Sequence, residues 1–467
     1  MKELFNKYYN FIVIFLVVLI LVSLFDKVLS LGLIVLAFLT LITFFILSKL
    51  GLKNKTLTWL LIIALIIHLG TVLFIYYFNF QPLSGGTGGY TYCHLLAVKI
   101  AENFRGGNFS FEGIPYYETG DYIYRFYPLI IGSLYAVTMP EMLIGQIFQV
   151  WLAVLFVLFT YLIVKEIGGS NKQAFLIGLI VNIYPSYLFY GSLLLKDALV
   201  ASLALSGLLF CLKLIKKFSW KNFIVFYLIL AGLFNFRFYI AYALLFPFIF
   251  CYLFVFNLNL RKKIIYAIII IPLLGFLPEI LLNQGFMGIN VFNTSFSEEN
   301  ISFYQQKAYD PLAQTNPENQ EVVKDALLDR VSSTPSTPST SLFGYESTWK
   351  REKVSLKESP FNFLVNYLKY FSYILFGPLP WQMKTPVHFV ALLETIPWYL
   401  LFLFIIKGIY QSIRSRNKLV LPIILFSLLV LGAITVFINN FGIITRIRIP
   451  AFAALLCLIP LGFKKYD

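Results

Sequence analysis

Long apolar runs separated by short polar stretches make up most of this 467-residue chain. A helix needs roughly 20 apolar residues to cross the hydrocarbon core of a membrane. Runs that approach this length occupy residues 10–25, 28–47, 57–79, 144–164, 174–191, 197–213, 222–236, 238–256, 264–283, 387–407, 419–438 and 449–463. The pattern predicts an all-α polytopic membrane protein with about 12 transmembrane helices.

Lysines and arginines collect in every second connection between these runs, which indicates how the helices are oriented. These connections contain Lys49, Lys53, Lys55, Lys165, Lys172, Lys213, Lys216, Lys217, Lys221, Arg261, Lys262, Lys263, Arg414, Arg416, Lys418, Lys464 and Lys465. Because basic residues mark cytoplasmic loops, this side and both termini are predicted to be cytoplasmic. Counting the apolar segment 361–380 as a span would place Arg414 and Arg416 outside. That segment is therefore predicted to be an interfacial helix or a re-entrant piece.

Two large extracytoplasmic loops follow from this arrangement and divide the chain. Residues 1–56 form an N-terminal two-helix anchor, and residues 57–283 form a core module that includes the first outer loop, 80–142. Residues 284–386 form the second outer loop, which contains a Ser/Thr/Pro low-complexity tract and the interfacial helix. Residues 387–467 form a C-terminal three-helix transmembrane segment.

The composition excludes an ordinary soluble protein, because 59% of the residues are hydrophobic and only 13% are charged. Soluble domains carry about 25% charged residues. The net charge of +15 does not indicate a nucleic-acid partner, since no soluble stretch combines a basic run with aromatic residues. His68, His94 and His388 are far apart and the cysteines form no CxxC pair, so no cofactor follows and nothing supports a divalent metal.

Four of the cations on the predicted outer side, where basic residues are disfavoured, stand at the ends of spans. They are Lys196, Arg237, Arg446 and Arg448. A cation at the membrane is costly unless it is paired or hydrated, which makes each one a functional candidate. Together they would suit a phosphate or pyrophosphate, because arginine binds phosphate oxygens in a bidentate manner and lysine adds a point charge. In the competing interpretation, each side chain reaches lipid headgroups on its own.

Carboxylates on the same side are candidates for a general base. Glu102, Glu112, Glu118 and Asp121 lie in the first outer loop, and Asp197 directly follows Lys196. A sugar transfer that inverts the anomeric carbon needs one such group to take the proton of the acceptor hydroxyl. The competing interpretation of each residue is a solvated loop charge.

Several short segments occur in an order that resembles a known family. They are Arg125-Phe126-Tyr127-Pro128-Leu129, Tyr184-Pro185-Ser186, Gly191-Ser192-Leu193-Leu194-Leu195-Lys196-Asp197, and Phe376-Gly377-Pro378-Leu379-Pro380-Trp381-Gln382 followed by Glu394. The order resembles the GT-C class of membrane glycosyltransferases, especially the protein O-mannosyltransferase and lipid A aminoarabinose transferase group. The resemblance implies a polyprenyl-phosphate sugar donor on the outer face and a lipid-, glycan- or protein-linked acceptor.

The class places a catalytic acidic residue just after the first span of its core, and this chain departs from that pattern. The matching stretch reads Gly86-Thr87-Gly88 and has no carboxylate. Asp121 in the same loop is the preferred substitute, and Asp197 matches the second acidic position of the class.

The resulting hypothesis is an inverting glycosyltransferase of the plasma (inner) membrane that makes cell-envelope glycans or glycoconjugates. In it, Lys196, Arg237, Arg446 and Arg448 bind the donor phosphate, and Asp121 and Asp197 are the catalytic candidates. One alternative is a surface polysaccharide polymerase or ligase, but the early outer loop favours the transferase. The other is a lipid or solute transporter, and the segment 222–256, broken at Arg237, keeps that alternative open. Membrane lipids are expected partners of the protein in each case.

Overall fold

The computed structural model describes residues 22–80, 89–109, 126–255, 359–379, 391–438 and 441–463, together with positions 261, 264, 265, 268 and 297. Every regular element in these ranges is helical. Residues 10–21 of the first predicted span lie outside the described residues, as do nearly all of the span 264–283 and most of the second outer loop. In the first outer loop, residues 81–88 and 110–125, which include Asp121, lie outside them as well.

The helices begin and end as follows. They are α1 (Lys27–Lys49), α2 (Lys55–Tyr77), α3 (Gly89–Arg105), α4 (Phe126–Val137), α5 (Met142–Glu166), α6 (Asn171–Asn182), α7 (Pro185–Tyr190), α8 (Asp197–Lys216), α9 (Trp220–Phe254), α10 (Pro360–Phe376), α11 (Leu392–Arg414), α12 (Val420–Phe437), α13 (Phe441–Ile447) and α14 (Ile449–Leu456), followed by a 3-10 helix at Ile459–Phe463.

Seven of these helices are long and apolar enough to cross a membrane: α1, α2, α5, α8, α9, α11 and α12. This finding confirms a multi-span, all-helical protein among the described residues, while the total of about 12 spans stays a prediction. The last predicted span, 449–463, is formed by α14 and the 3-10 helix.

Helix α9 is two antiparallel helices rather than one long rod. Its backbone leaves the helical region at Arg237, where φ is −155° and ψ is 89°. The ring centroids of Phe226 and Phe248 lie 4.8 Å apart, and those of Phe234 and Tyr242 also lie 4.8 Å apart. Residues that flank Arg237 at increasing distance therefore face each other. We name the two halves α9a (220–236) and α9b (238–254), and they match the predicted spans 222–236 and 238–256.

The predicted span 174–191 is interrupted, which corrects the sequence prediction. Helix α6 ends at Asn182, and Pro185 begins the separate short helix α7. Proline lacks a backbone N–H and clashes with the preceding turn, so it is favoured at the first position of a helix and kinks or breaks a helix in its interior. The apolar run continues across the break, and this continuity made the two helices look like one span.

Helices α5 and α8 form the centre of the bundle. In their apolar windows 72% and 78% of residues are buried, against 22% in α1 and 33% in α2. Helix α8 packs against both α5 and α9, and α9 packs against α12. One end of the bundle collects the start of α8 at Asp197 and the turn of α9 at Arg237. We call it the site end, and the Lys216–Glu166 ion pair marks the opposite end.

Helix α10 occupies the segment predicted to be interfacial or re-entrant. Its 17 residues fall short of the roughly 20 that a span needs, and it packs against α12. Phe361, Leu364 and Leu368 are exposed along one face, whereas Tyr370 and Ile374 are buried. The helix therefore presents one apolar stripe to its surroundings and attaches to the bundle through its C-terminal half.

Candidate functional site

Asp197 is the centre of a charge cluster at the site end of the bundle. It is the first residue of α8 and follows a tight turn, 191–196, which connects α8 to α7. Its side chain is only 8% exposed. A buried carboxylate needs compensating charge or hydrogen bonds, so its surroundings decide what the cluster can do.

Two arginines from distant parts of the chain meet on this carboxylate. Arg237, at the turn between α9a and α9b, donates from Nη2 to Asp197 Oδ1 at 2.5 Å and from Nη1 to the Tyr239 hydroxyl at 2.7 Å. Arg446, in α13, has its Nε 3.2 Å from Asp197 Oδ2. The arginine side chains are 10% and 23% exposed, respectively, so Arg446 faces the more open side of the cluster.

Both guanidinium groups have N–H capacity left over. Within the described part of the chain, the Nε atoms of Arg237 and Arg446 are buried and make no hydrogen bond. Arg446 Nε is near Asp197 as an ion pair, but its N–H is not aligned for a hydrogen bond. A buried donor without a partner costs about 1–3 kcal/mol, so each of these N–H groups would favour an added acceptor oxygen.

Lys196 is a third cation of the cluster, beside Arg237 and Arg446. Burial, together with repulsion from Arg237, lowers the pKa of Lys196 to about 7, even though Asp197 acts in the opposite direction. Lys196 directly precedes α8 and is partly exposed. Its charge also acts on the Cys93 thiol of α3, so α3 lies close to this side of the cluster. Three cations and one carboxylate give an excess of two positive charges when Lys196 is protonated.

Arg448 has different partners, although it is only two residues from Arg446. Its Nη2 donates to Glu394 Oε1 at 2.8 Å, and its Nη1 donates to the carbonyl oxygens of Ile374 and Gly377 at 2.9 and 2.8 Å. The whole residue is 1% exposed. Glu394 in turn accepts hydrogen bonds from the backbone N–H and the hydroxyl of Ser186, at the start of α7.

The structure thus brings together most of the residues predicted to form the site. Lys196, Asp197, Arg237 and Arg446 share one cluster, whereas Arg448 belongs to a second, fully buried ion pair. Tyr239 was not among the predicted residues, and Ser186 and Glu394 entered only through the family resemblance. An ionisable residue in a predicted span is itself a signal that it has a buried partner, and Glu394 carried that signal.

The residues of the cluster do not suit a metal ion. Among the residues that the structure describes, no group of three or more histidine, cysteine, aspartate or glutamate side chains is placed to hold one. The single carboxylate at the centre is already engaged by two guanidinium groups. The excess of positive charge in the cluster would suit an anion.

One comparison with known proteins bears on this site. Residues 126–281 match the family model described as dolichyl-phosphate-mannose-protein mannosyltransferase, which confirms the predicted resemblance to GT-C membrane glycosyltransferases in this part of the chain. The matched segment carries Lys196, Asp197 and Arg237, but not Arg446. No curated protein and no solved structure matches the chain. The family match, with the long apolar helices, supports an integral membrane glycosyltransferase that uses a lipid-linked sugar donor.

Proposed function

We propose that this chain is an inverting glycosyltransferase whose donor is a polyprenyl-phosphate-linked sugar, bound at the site end of the bundle on the outer face of the membrane. The acceptor is a lipid-, glycan- or protein-linked hydroxyl used in cell-envelope glycan or glycoconjugate synthesis. The observation that carries the proposal is the convergence of Lys196, Arg237 and Arg446 on the single carboxylate of Asp197.

The charge of the cluster suits the phosphate of this reaction better as product than as substrate. The phosphodiester of the donor carries one negative charge, and the released polyprenyl phosphate approaches two. The cluster has an excess of two positive charges when Lys196 is protonated. It therefore stabilises the charge that develops on the leaving group, and an interaction that strengthens toward the transition state accelerates the reaction.

The chemical step in this proposal needs one base and one leaving group. The acceptor hydroxyl attacks the anomeric carbon, its proton passes to a carboxylate, and the bond from that carbon to the phosphate oxygen breaks with its electron pair going to the phosphate. Asp121 is our candidate for the base, and it lies outside the described residues. Asp197 suits a different role, because a carboxylate neutralised by two guanidinium groups is a weak base.

The geometry also supports this proposal over independent snorkelling of each cation to lipid headgroups. A snorkelling side chain places its charged head in the interfacial water. Arg237 instead directs two of its nitrogens to Asp197 and Tyr239, and its side chain is largely buried. We infer that Asp197 holds the arginines in a preorganised arrangement toward the donor phosphate.

The proposal is tested by turnover in nanodiscs. Purified protein is incubated with a panel of polyprenyl-phosphate sugars, and the released polyprenyl phosphate is quantified by mass spectrometry. Asp121→Asn and Arg237→Ala are measured alongside the wild type. We expect release by the wild type, weaker donor binding by Arg237→Ala, and normal binding without turnover by Asp121→Asn.

Other results would point to the alternative functions. Binding of polyprenyl-pyrophosphate-linked glycans in preference to the phosphate-linked sugars would replace the proposal with a polymerase or ligase. Flux of a lipid or solute across vesicles without any product would replace it with a transporter.

A further inference from the structure

We propose that Glu394 and Arg448 are positioning residues. They fix the two segments that carry Asp197 and Arg446, and so keep the Arg446 side chain beside the Asp197 carboxylate. This inference rests on the proposed function of the charge cluster. It assigns Arg448, which the sequence placed among the donor-binding cations, to a supporting role.

The carboxylate of Glu394 fixes the segment that leads to Asp197. Its Oε2 accepts the backbone N–H of Ser186 at 3.1 Å and also accepts the Ser186 hydroxyl. Ser186 lies in the first turn of α7, and the chain passes from α7 through the turn 191–196 directly to Lys196 and Asp197. Glu394 therefore sets the start of the short segment that ends at the charge cluster.

The guanidinium of Arg448 fixes the segment that carries Arg446. Arg448 is the residue between α13 and α14, and its side chain is held on several sides. Besides Glu394, it binds the carbonyls of Ile374 and Gly377 at the end of α10, and its Cζ lies 4.6 Å from the ring centroid of Phe452. Because Arg446 is two residues earlier, a shift of Arg448 would move the Arg446 side chain away from Asp197.

The end of α10 is a rigid support for this arrangement. The last carbonyl groups of a helix have no partner within the helix and need one from outside. Here Trp398 donates to the Leu375 carbonyl at 2.8 Å, and Tyr399 donates to the Phe376 carbonyl at 2.7 Å. Arg448 binds the carbonyls of Ile374 and Gly377, so the last three carbonyls of α10 and that of the next residue are bound by side chains from α11 and from the α13–α14 junction.

A second bond joins the same two segments directly. The Tyr190 hydroxyl of α7 donates to the Gly442 carbonyl of α13 at 3.1 Å. The Glu394–Arg448 pair and this bond therefore connect the segments on either side of the Arg446–Asp197 contact. A buried ion pair adds little net stability compared with a well-packed apolar pair, so its geometric role is the stronger reason for its presence.

The test measures binding of polyprenyl phosphate to full-length protein in nanodiscs, with polyprenol as the uncharged control ligand. Glu394→Gln alone would bury an uncompensated Arg448, so the main variant replaces both partners with apolar residues, Glu394→Leu with Arg448→Met. Ser186→Ala is a second, milder variant that removes only the hydroxyl contact. Each is combined with Arg446→Gln in a double-mutant cycle, and thermal unfolding is recorded for all proteins.

We expect the apolar double variant to weaken polyprenyl phosphate binding about tenfold, within the range of coupled contacts. In the Arg446→Gln background, the same change should weaken binding less than twofold, because the residue that it positions is gone. Ser186→Ala should show a smaller loss with the same dependence on Arg446. Glu166→Gln, which breaks the ion pair at the opposite end of the bundle, should leave binding unchanged.

Unchanged affinity in the apolar double variant and in Ser186→Ala would overturn the positioning role. An equal loss with and without Arg446 would also overturn it, because a general structural effect does not depend on Arg446. Failure of the proposed function looks different: wild-type protein would then not distinguish polyprenyl phosphate from polyprenol.

Discussion

Replacing Arg237 by glutamine is the sharpest test of the charge cluster. Arg237 is the only residue between α9a and α9b, and it donates to Asp197 and Tyr239. Glutamine keeps a polar side chain of similar length but removes the charge. Asp197 retains Arg446 at 3.2 Å and the neighbouring Lys196, so the carboxylate is not left unpaired and the protein should fold.

The expected loss follows from the strength of one contact. A hydrogen bond to a charged group contributes about 1.5–3 kcal/mol, and each 1.4 kcal/mol is a factor of ten in affinity. Arg237→Gln should therefore raise the Kd for polyprenyl phosphate by roughly 10- to 150-fold. The Kd of Arg237→Lys should lie between those of the wild type and Arg237→Gln, because lysine keeps the charge but loses the planar guanidinium.

The assay is a titration of polyprenyl phosphate into nanodisc-embedded protein, with a melting curve recorded for each variant. Arg414→Gln is the matched control, since it makes the same chemical change at an exposed residue in the last turn of α11. If Arg237→Gln melts like the wild type and binds within twofold of it, the cluster does not bind the donor phosphate and the reasoning is refuted.

Three further predictions concern pH, packing and catalysis. Because a pKa of about 7 makes Lys196 neutral in alkaline solution, affinity for a polyprenyl-phosphate sugar should fall up to about tenfold from pH 6 to pH 8, and Lys196→Arg should abolish that fall. Gly408→Ala should lower the melting temperature and reduce the free energy of unfolding by about 1–3 kcal/mol, because an added Cβ would lie 2.2 Å from the Leu458 carbonyl oxygen. Gly70→Ala is the control, because an added Cβ at Gly70 would lie in open space. Asp121→Asn should bind a polyprenyl-phosphate sugar like the wild type when that donor is titrated, and it should release no polyprenyl phosphate in the turnover assay. Retained turnover would exclude Asp121 as the base.

The hydrophobic pattern predicted many of the helices but not the break between α6 and α7. The predicted spans 28–47, 144–164 and 419–438 coincide closely with α1, α5 and α12. A count of apolar residues does not show where one helix ends and another begins within a continuous apolar run, as happens at Pro185. The reversal in α9 was predicted because a charged residue marks its position.

The charge cluster was predictable as a set of residues, but its pairing was not. A cation in an apolar context stands out in sequence, yet Asp197 could have paired with any of them. The separation of Arg446 from Arg448 has a simple helical reason. Each residue turns about 100° around a helix axis, so positions two apart point in nearly opposite directions. The two arginines could not both approach one carboxylate, and only the packing of α7, α10 and α11 decided which of them did.

The single-residue reversal at Arg237 restricts how this protein can change in length. A loop between two helices normally absorbs insertions, whereas here no loop separates α9a from α9b. One residue added in the first turn of α9b would rotate the rest of that helix by about 100° and turn the buried side chains of Leu244, Phe248 and Cys251 away from their present contacts. Natural versions of this chain should therefore differ by substitution along both halves of α9, while the number of residues around Arg237 stays the same.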